Sequence, residues 1–334
     1  MTARRHPRHP GTRMRKIFLF SGIILALILQ AAAAMAISQS GVLFLMIAPG
    51  ARASGMGESF VAVADDATAS YWNPAGLAQQ RDTEVALMHS KWFPEFTTDM
   101  YYDFACFSHY LEGVGTVGGH IIYFSYGDLP YTSEFGPEIL SLYHSYEVAV
   151  SGSFGADLTR DLLAGVNLKA IYSDLGPGQN VERGDGKAVS YAADVGLLYH
   201  GPVPRLNLGA MIQNIGPDMM YVDAEQSSPL PRNLKTGASL QLWKSLYNSF
   251  LLAGDFNLSL VNGEWWINGG SEYWYADLLA LRAGYLYDKY GEVNTATFGA
   301  GLRYHIFRFD IGYITAQEGH PLADTMRFSL AAAF

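Results

Sequence analysis

Six charged side chains in the last third of the sequence have the residue types that form hydrogen-bonded ion pairs. They are Glu272, Arg282, Arg303, Arg308, Asp310 and Arg327. Two more carboxylates, Asp65 and Asp66, stand side by side far upstream in "VADDATAS". Guanidinium and carboxylate groups make strong, directional pairs, so we expect part of the first set to bind Asp65 or Asp66. A lining of solvated charges without specific partners is an equal alternative.

Enzyme motifs are incomplete or missing. In "GDGKAVS", Ala188 stands where a phosphate-binding loop requires Ser or Thr, and Val181 stands where it requires its first glycine. "SGMGES" has only part of a dinucleotide fingerprint, and neither H-E-x-x-H nor G-x-S-x-G occurs. The one cysteine, Cys106, excludes a paired-cysteine metal site. We therefore predict no enzymatic activity, no cofactor and no metal. A hydrolase assembled from dispersed Ser, His and Asp residues is the remaining alternative.

The composition indicates which elements must position these side chains. Of 334 residues, 49% are hydrophobic, 13% are aromatic and only 16% are charged, below the roughly 25% charge of an average soluble domain. Lipid is therefore expected to cover part of the surface. Thirty-five glycines and 21 tyrosines favour strands and tight turns over helices. A net charge of -9 argues against a nucleic-acid partner, which requires clustered Lys and Arg.

The first 36 residues have the pattern of an export signal. Residues 1–13 are basic and are expected to be untranslated or disordered. From Met14, two basic residues, an apolar run and the sequence Ala34-Met35-Ala36 give the three regions of a cleaved signal peptide over 14–36. A retained membrane helix over residues 17–36 is the alternative. Either interpretation predicts export.

From about Thr83 onward, apolar and polar residues alternate as in strands that face lipid on one side and a lumen on the other. In "VSYAADVGLLY", for example, Val189, Tyr191 and Val195 share one face, and Ser190 and Asp194 share the other. The pattern predicts an all-β protein, an antiparallel outer-membrane β-barrel of about 14 strands over residues 81–334. The predicted strands lie near residues 83–92, 100–111, 115–127, 145–157, 162–174, 188–200, 206–215, 233–243, 249–260, 264–275, 278–288, 295–305, 306–316 and 324–334.

The connections between these strands alternate in length, as short periplasmic turns and long outer loops do. An even strand count places both ends of the barrel chain on the periplasmic side. Residues 37–80 are therefore expected to enter the barrel from that side as a plug. By strand parity, the six charges of the last third point into the lumen, where they avoid the cost of contact with lipid.

Two further segments suggest contacts with partners. The chain stops on Phe334, with Phe328 and Leu330 at every-second-residue spacing before it. This resembles the signal by which the barrel-assembly machinery recognises its clients, and an ordinary final strand is the alternative. Met219, Met220 and Tyr221 lie in a long outer loop, where they are expected to receive a hydrophobic ligand or a cargo domain. Packing against a neighbouring loop is the alternative.

The stretch before the first strand, "PGARASGMGESFVAVADDATASYWNPAGLA", resembles the N-terminal motif of the PorV/PorQ family of outer-membrane proteins. The matching residues are Gly50, Arg52, Gly57, Asp65, Asp66, Trp72, Asn73, Pro74, Ala75 and Gly76. That family is similar to the FadL fatty-acid channel, a fourteen-strand barrel plugged by its own N-terminal segment. The resemblance implies a role in type IX secretion through binding of cargo C-terminal domains. A passive channel for hydrophobic small molecules is the alternative that it implies.

The Asn-Pro pair gives this motif a mechanical role. Pro74 fixes its own φ and keeps Asn73 out of the helical region, which suits a sharp reversal, and Gly76 permits a tight exit. We expect the turn to lie at the foot of the lumen and to anchor the plug, with Trp72 wedged against the inner wall.

Overall fold

The computed structural model describes residues 40–93, 97, 99–132, 139–176, 186–221, 227–316 and 325–334. The expected signal peptide and the residues before it lie outside the described residues. Sixteen strands are present within these ranges: β1 (Glu84–Lys91), β2 (Tyr101–Leu111), β3 (Gly115–Thr132), β4 (Ile139–Asp157), β5 (Leu162–Asp174), β6 (Lys187–His200), β7 (Leu206–Ile215), β8 (Met219–Met220), β9 (Ser227–Ser228), β10 (Asn233–Lys244), β11 (Asn248–Ser259), β12 (Trp265–Tyr275), β13 (Leu279–Asp288), β14 (Val293–Tyr304), β15 (Phe307–Ile314) and β16 (Thr325–Ala333).

All strands except β8 and β9 form one closed antiparallel barrel of fourteen strands. The barrel closes between its first and last strands, with Glu84 opposite Ala333 and Ser90 opposite Arg327. The predicted all-β barrel and its strand number are confirmed. Closure pairs each of the fourteen strands with a neighbour on both sides, so the described barrel has no edge strand.

The two faces of the wall differ as the alternation predicts. On β6, Val189 and Tyr191 are 73% and 69% exposed, whereas Ser190 and Asp194 between and after them are buried. The outward face is therefore apolar, and the inward face carries the polar and charged side chains. In the part of the chain that the structure describes, no helix is long and apolar enough to cross a membrane.

Connections of two to five residues alternate with generally longer ones, and the two ends of the barrel are named the short-turn end and the long-loop end accordingly. The short-turn end holds the turn between β4 and β5 and both termini of the barrel, where Thr83 and Phe334 exchange backbone hydrogen bonds. The long-loop end holds the connection from β7 to β10. Strands β3 and β4 extend further toward the long-loop end than predicted, to Thr132 and from Ile139, because they pair with each other beyond the last partners of β2 and β5.

Residues 40–83, here called the N-terminal segment, lie against inward-facing side chains on both sides of the barrel. The segment has two short helices, Ala51–Gly55 and Ala69–Trp72, and two 3-10 turns, Leu43–Met46 and Pro74–Gln79. The first helix packs on β13–β16, and the second 3-10 turn packs on β3–β6. Nearly every side chain between Ala48 and Ala78 is buried.

The direction of this segment differs from the expectation. Its described start lies at the long-loop end, where the N–H of Gly41 donates to the carbonyl of Pro229, just after β9 (3.0 Å). Its last residues lie at the short-turn end, beside the start of β1. The segment thus runs through the lumen from one end to the other, rather than beginning at the periplasmic mouth as the strand count suggested.

The predicted exposed cluster in the outer loop is also corrected. Met219 is fully buried and belongs to the same apolar cluster as Val42 and Leu230, whereas Met220 is 54% exposed. The hydroxyl of Tyr221 donates to Ser173 on β5 (2.9 Å). The short β8–β9 pair folds back over the start of the N-terminal segment, and this places Met219 in the core instead of at the surface.

Candidate functional site

Three arginines and three carboxylates form a closed ring between the N-terminal segment and the barrel wall, here called the arginine–carboxylate ring. Each adjacent pair is joined by a contact of 2.7 to 3.0 Å. In order around the ring, its members are Arg52, Glu272, Arg282, Asp310, Arg308 and Asp66. Each carboxylate accepts hydrogen bonds from two guanidinium groups. None of the six side chains is more than 11% exposed.

The ring joins residues of the N-terminal segment to residues of the barrel strands. Arg52 lies in the first short helix and Asp66 lies just before the second, so these two residues belong to the N-terminal segment. Glu272 and Arg282 stand directly opposite each other on β12 and β13. Strand alternation points the barrel members inward, and the segment brings the remaining two to meet them. Asp65 adds an outer contact to Arg52 at 2.5 Å.

The charges hold one another ionised in spite of burial. Burial alone would raise the pKa of Asp66, but the charges of Arg308 and Arg52 and a hydrogen bond from Thr68 lower this pKa from 3.8 to about 2. Burial would likewise lower the pKa of Arg52, and the carboxylates of Asp65 and Glu272 outweigh it, raising the pKa well above its ordinary value. Asp66 and Arg52 therefore stay charged at neutral pH, which suits a role in holding the N-terminal segment against the wall.

We expect the ion pairs of Asp66 to make the stability of the barrel fall at acidic pH. Because the folded pKa of Asp66 is depressed, its stabilisation is present above pH 3.8 and is lost as the pH falls toward 2. This pKa shift corresponds to about 2 kcal/mol in the free energy of unfolding. Melting temperatures of the detergent-solubilised protein should fall between pH 5 and pH 2.5. The Asp66→Asn variant should have a lower melting temperature at pH 5 and should lose less of it as the pH falls. Equal losses in the two proteins would show that Asp66 is not the source of the pH dependence.

Further contacts tie the segment to the wall away from the ring. Arg327 of β16 binds the carboxylate of Glu58 at 3.0 Å. Asp255 of β11 accepts the backbone N–H groups of Phe60 and Val61 at 2.7 and 2.9 Å. These contacts fix the middle of the segment at two places on the barrel, so the segment is held by several strands rather than by one.

The Asn-Pro turn lies near the short-turn end, against β4, β5 and β6. The amide of Asn73 is fully buried and donates to the carbonyls of Val61 (2.9 Å) and Leu197 (3.1 Å). Its oxygen accepts the N–H of Ala75 at 3.1 Å, which caps the 3-10 turn that Pro74 begins. One side chain thus joins the turn, the preceding segment and the wall.

Small residues let the turn approach the wall closely. A Cβ on Gly165 of β5 would overlap the carbonyl group of Pro74, and a Cβ on Gly76 would overlap the carbonyl oxygen of Ala64. Gly57, with φ of 60°, makes a similarly close approach to the backbone of Tyr285. Gly50 also has a positive φ, 94°, where it precedes the first helix. These positions require glycine on steric grounds.

Aromatic side chains fill the space beside the turn. Trp72 and Tyr71 are 1% exposed and meet edge to face, with ring centroids 5.4 Å apart. The indole N–H of Trp72 donates to the carbonyl of Pro49 at 3.1 Å, and the ammonium of Lys235 lies 4.9 Å from the Trp72 ring. A cation above an indole face is favourable, more so where both are buried.

We predict that Asn73→Ala loosens this part of the segment. The variant loses two donors and a cap, and it leaves the Val61 carbonyl unpaired in a buried position, a cost of about 1–2 kcal/mol. Trypsin provides the readout, because Arg52 is buried and is cleaved only when the segment leaves the wall. Cleavage after Arg52 should be faster in this variant, and faster still when Pro74→Ala is added. An unchanged cleavage rate would contradict the anchoring role.

The structure places the other predicted residues at several sites. Arg303 faces inward near the short-turn end but stays outside the ring, where it binds the exposed Asp277 at 2.6 Å. Phe328, Leu330 and Phe334 all point outward at 40%, 48% and 68% exposure, and their role as an assembly signal stays a prediction.

Several residues of the site were missed in the sequence. Glu84 binds Arg308 at 3.4 Å, and Glu58, Asp255 and Lys235 contact the segment or the wall as described. Strand parity, applied to β1, β10 and β11 as it was to the late strands, would have placed three of these side chains in the lumen. Glu58, with φ of 60° in an irregular turn, has no such signal.

Comparisons with known proteins agree with this architecture. The family model for the type IX secretion system protein PorV matches residues 30–264. Among solved structures, the toluene transporter TbuX of Ralstonia pickettii is 16% identical, with a TM-score of 0.56, and covers 85% of this chain and 96% of its own. The toluene transporter TodX of Pseudomonas putida is 15% identical, with a TM-score of 0.58 and coverage of 90% and 98%.

A FadL homologue of Pseudomonas aeruginosa is 11% identical, with a TM-score of 0.52 and coverage of 85% and 98%. At these identities the likeness is one of fold. No curated protein matches the chain in sequence. The family model covers more than half of the chain, and it includes both the N-terminal motif and the first two thirds of the barrel. The chain therefore belongs to the PorV family and is an outer-membrane barrel with a FadL-like fold.

Proposed function

We propose that this protein serves type IX secretion as a plugged barrel that binds other proteins and catalyses no reaction. Its ligands are the C-terminal domains of secreted cargo, and they bind at the long-loop end. Residues 14–36 act as a cleaved signal peptide for export. Family membership supports the secretion role. Long loops of outer-membrane barrels face outward, which supports a surface location for the binding end.

One observation favours binding over passage. The N-terminal segment runs through the lumen between the two ends of the barrel, and the arginine–carboxylate ring links it to β12, β13 and β15. Removing one member of a buried, paired set costs about 3–5 kcal/mol, so the segment does not leave the lumen readily. A barrel filled in this way presents its outer end as a fixed surface.

The ribbon formed by β3 and β4 beyond their neighbours supplies an apolar part of that surface. Leu129, Ile139 and Leu142 are 45%, 62% and 65% exposed there. Leu129 lies opposite Tyr143 and Leu142 lies opposite Pro130, so the two leucines expose apolar surface on opposite faces of the ribbon. Large exposed apolar surface marks sites of protein contact. The projecting ribbon also has backbone edges that lie beyond the last partners in β2 and β5, and β-rich domains bind such edges readily.

A pull-down tests the proposal. The purified barrel in detergent should retain the C-terminal domain of a type IX cargo protein, and Leu129→Glu with Leu142→Glu should weaken binding at least tenfold. Tyr290→Ala is the matched control, since Tyr290 is 50% exposed in a different connection at the same end. Equal binding by both variants, or no binding by the native barrel, would refute the proposed site.

Passage of hydrophobic small molecules is the second candidate function. An apolar groove of about 470 Å³ lies on the wall around β1, lined among others by Leu87, Phe104 and Phe328. The neighbours TbuX and TodX are toluene transporters by their descriptions. Uptake of toluene into proteoliposomes would favour this function, and uptake no faster than through protein-free vesicles would exclude it.

A further inference from the structure

A polar cavity of about 700 Å³ lies at the short-turn end, opposite the proposed cargo surface. The N-terminal segment forms one side of it through Arg52 and Asp65. Residues of β7, β10, β11, β12, β14 and β15 form the other side, and the turns after β6 and β12 contribute Arg205 and Asp277 to its rim. Arg205 and Asp277 are exposed, so the cavity opens to the compartment that the short turns face.

The cavity is positively charged, although the chain as a whole has a net charge of -9. Its carboxylates are those of Asp65, Glu272 and Asp277, and two more cations than carboxylates line it. The cationic lining residues are Arg52, Arg205, Lys244, Arg303 and Arg308. A concave, low-dielectric site with one excess sign of charge concentrates ligands of the opposite sign.

The excess charge resides at the rim. Arg52 and Arg308 are neutralised in the arginine–carboxylate ring. Arg205 and Lys244 have no ion pair with any residue that the structure describes, and both are exposed. The pair of Arg303 with Asp277 is open to solvent, with side chains 37% and 73% exposed. Solvent-exposed ion pairs contribute little to stability, so Arg303 can exchange Asp277 for a ligand that binds it more strongly.

The neutral lining adds hydrogen-bond donors. The side-chain oxygen of Asn207 is engaged by the ring of His200 at 2.8 Å. The side-chain oxygen of Asn248 accepts the hydroxyl of Tyr273. Each amide therefore retains its N–H2 group as a donor at a residue lining the cavity. Cations and amide donors together suit a ligand rich in acceptor oxygens, and side-chain carboxylates and peptide carbonyls both provide these.

We propose that this cavity binds a short acidic peptide segment of a protein in the compartment that the short turns face. The volume lies in the range of ligand pockets and excludes a folded domain. An extended segment gives its carboxylates to Arg205, Lys244 and Arg303 and its carbonyls to the two amides. This site is separate from the cargo surface, because the N-terminal segment fills the lumen between them.

Fluorescence anisotropy with the intact, detergent-solubilised barrel tests the proposal. The probe is a labelled hexapeptide of alternating Glu and Ala, compared with its Gln-Ala counterpart. We expect the acidic peptide to bind at least tenfold more tightly and its affinity to fall with added salt. The double variant Arg205→Gln with Lys244→Gln should lose at least tenfold in affinity. Neither residue touches the ring, and an unchanged melting temperature confirms that the variant folds.

The matched control is Lys91→Gln with Lys289→Gln, which removes the same charge at the long-loop end and should bind the peptide as the native barrel does. Equal binding of the two peptides would overturn the proposal, as would equal losses in the two double variants. Inorganic phosphate is the competitor that separates a peptide site from a general anion site. If phosphate displaces the labelled peptide as well as unlabelled peptide does at equal concentration, the peptide assignment is overturned.

Discussion

Glu272→Gln should release the N-terminal segment from the barrel wall. In the native ring the Glu272 carboxylate accepts from Nε and Nη2 of Arg52 (both 2.8 Å) and from Nε of Arg282 (2.7 Å). Gln keeps the volume but removes the charge between two buried guanidinium groups. Leaving buried charges uncompensated costs about 3–5 kcal/mol, the largest single effect that we expect in this protein.

Two measurements check this expectation. The melting temperature in detergent should fall, and trypsin should cleave after Arg52, which the native fold protects. Arg303→Gln is the control, because it breaks an ion pair of the same chemistry near the same end of the lumen but at an exposed position. Its effect should stay within about 1 kcal/mol. A loss of stability no larger for Glu272→Gln than for this control would show that the ring does not hold the segment.

Gly165→Ala should displace the Asn-Pro turn from the other side of the barrel. A Cβ at this inward-facing position of β5 would overlap the carbonyl group of Pro74 and the N–H of Ala75. Both belong to a capped turn and neither is the flexible end of a side chain, so the turn must move. Overpacking of this kind costs about 1–3 kcal/mol, and we expect the upper part of that range.

The same strand pair offers a matched control. Gly152 lies on β4, which neighbours β5, and a Cβ added there would meet no atom within 4 Å. Gly152→Ala should therefore leave melting and proteolysis unchanged, whereas Gly165→Ala should speed cleavage after Arg52. Indistinguishable behaviour of the two variants would mean that the turn does not depend on close contact with the wall.

The barrel was predictable because lipid imposes a simple pattern on each strand. For β5 and β7 the predicted bounds are identical to those in the structure, and most others differ by one or two residues. The exceptions are β3 and β4, predicted to end at 127 and to begin at 145. Gly127 and Pro130 are typical of a loop, and only the pairing of the two strands with each other overrides that local signal.

The interior was predictable only in part. The alternation of side chains along each strand assigned the charged residues of the late strands to the lumen. Ion pairs between some of these residues and Asp65 or Asp66 were also expected. The individual partners of Asp65 and Asp66 could not be predicted, because they depend on the path of residues 40–83 through the lumen. Met219 illustrates the same limit: its burial follows from the start of the segment reaching the long-loop end, and no local pattern carries that information.

Conductance across planar bilayers tests most directly whether the segment closes the barrel. Recordings would compare the native protein, the Asp65→Lys/Asp66→Lys variant, which reverses two charges at Arg52 and Arg308, and an exposed Asp277→Lys control. We expect a closed native barrel, a closed control, and a variant that conducts ions and melts at lower temperature. An open native barrel, or a variant with the conductance and stability of the native protein, would contradict this expectation.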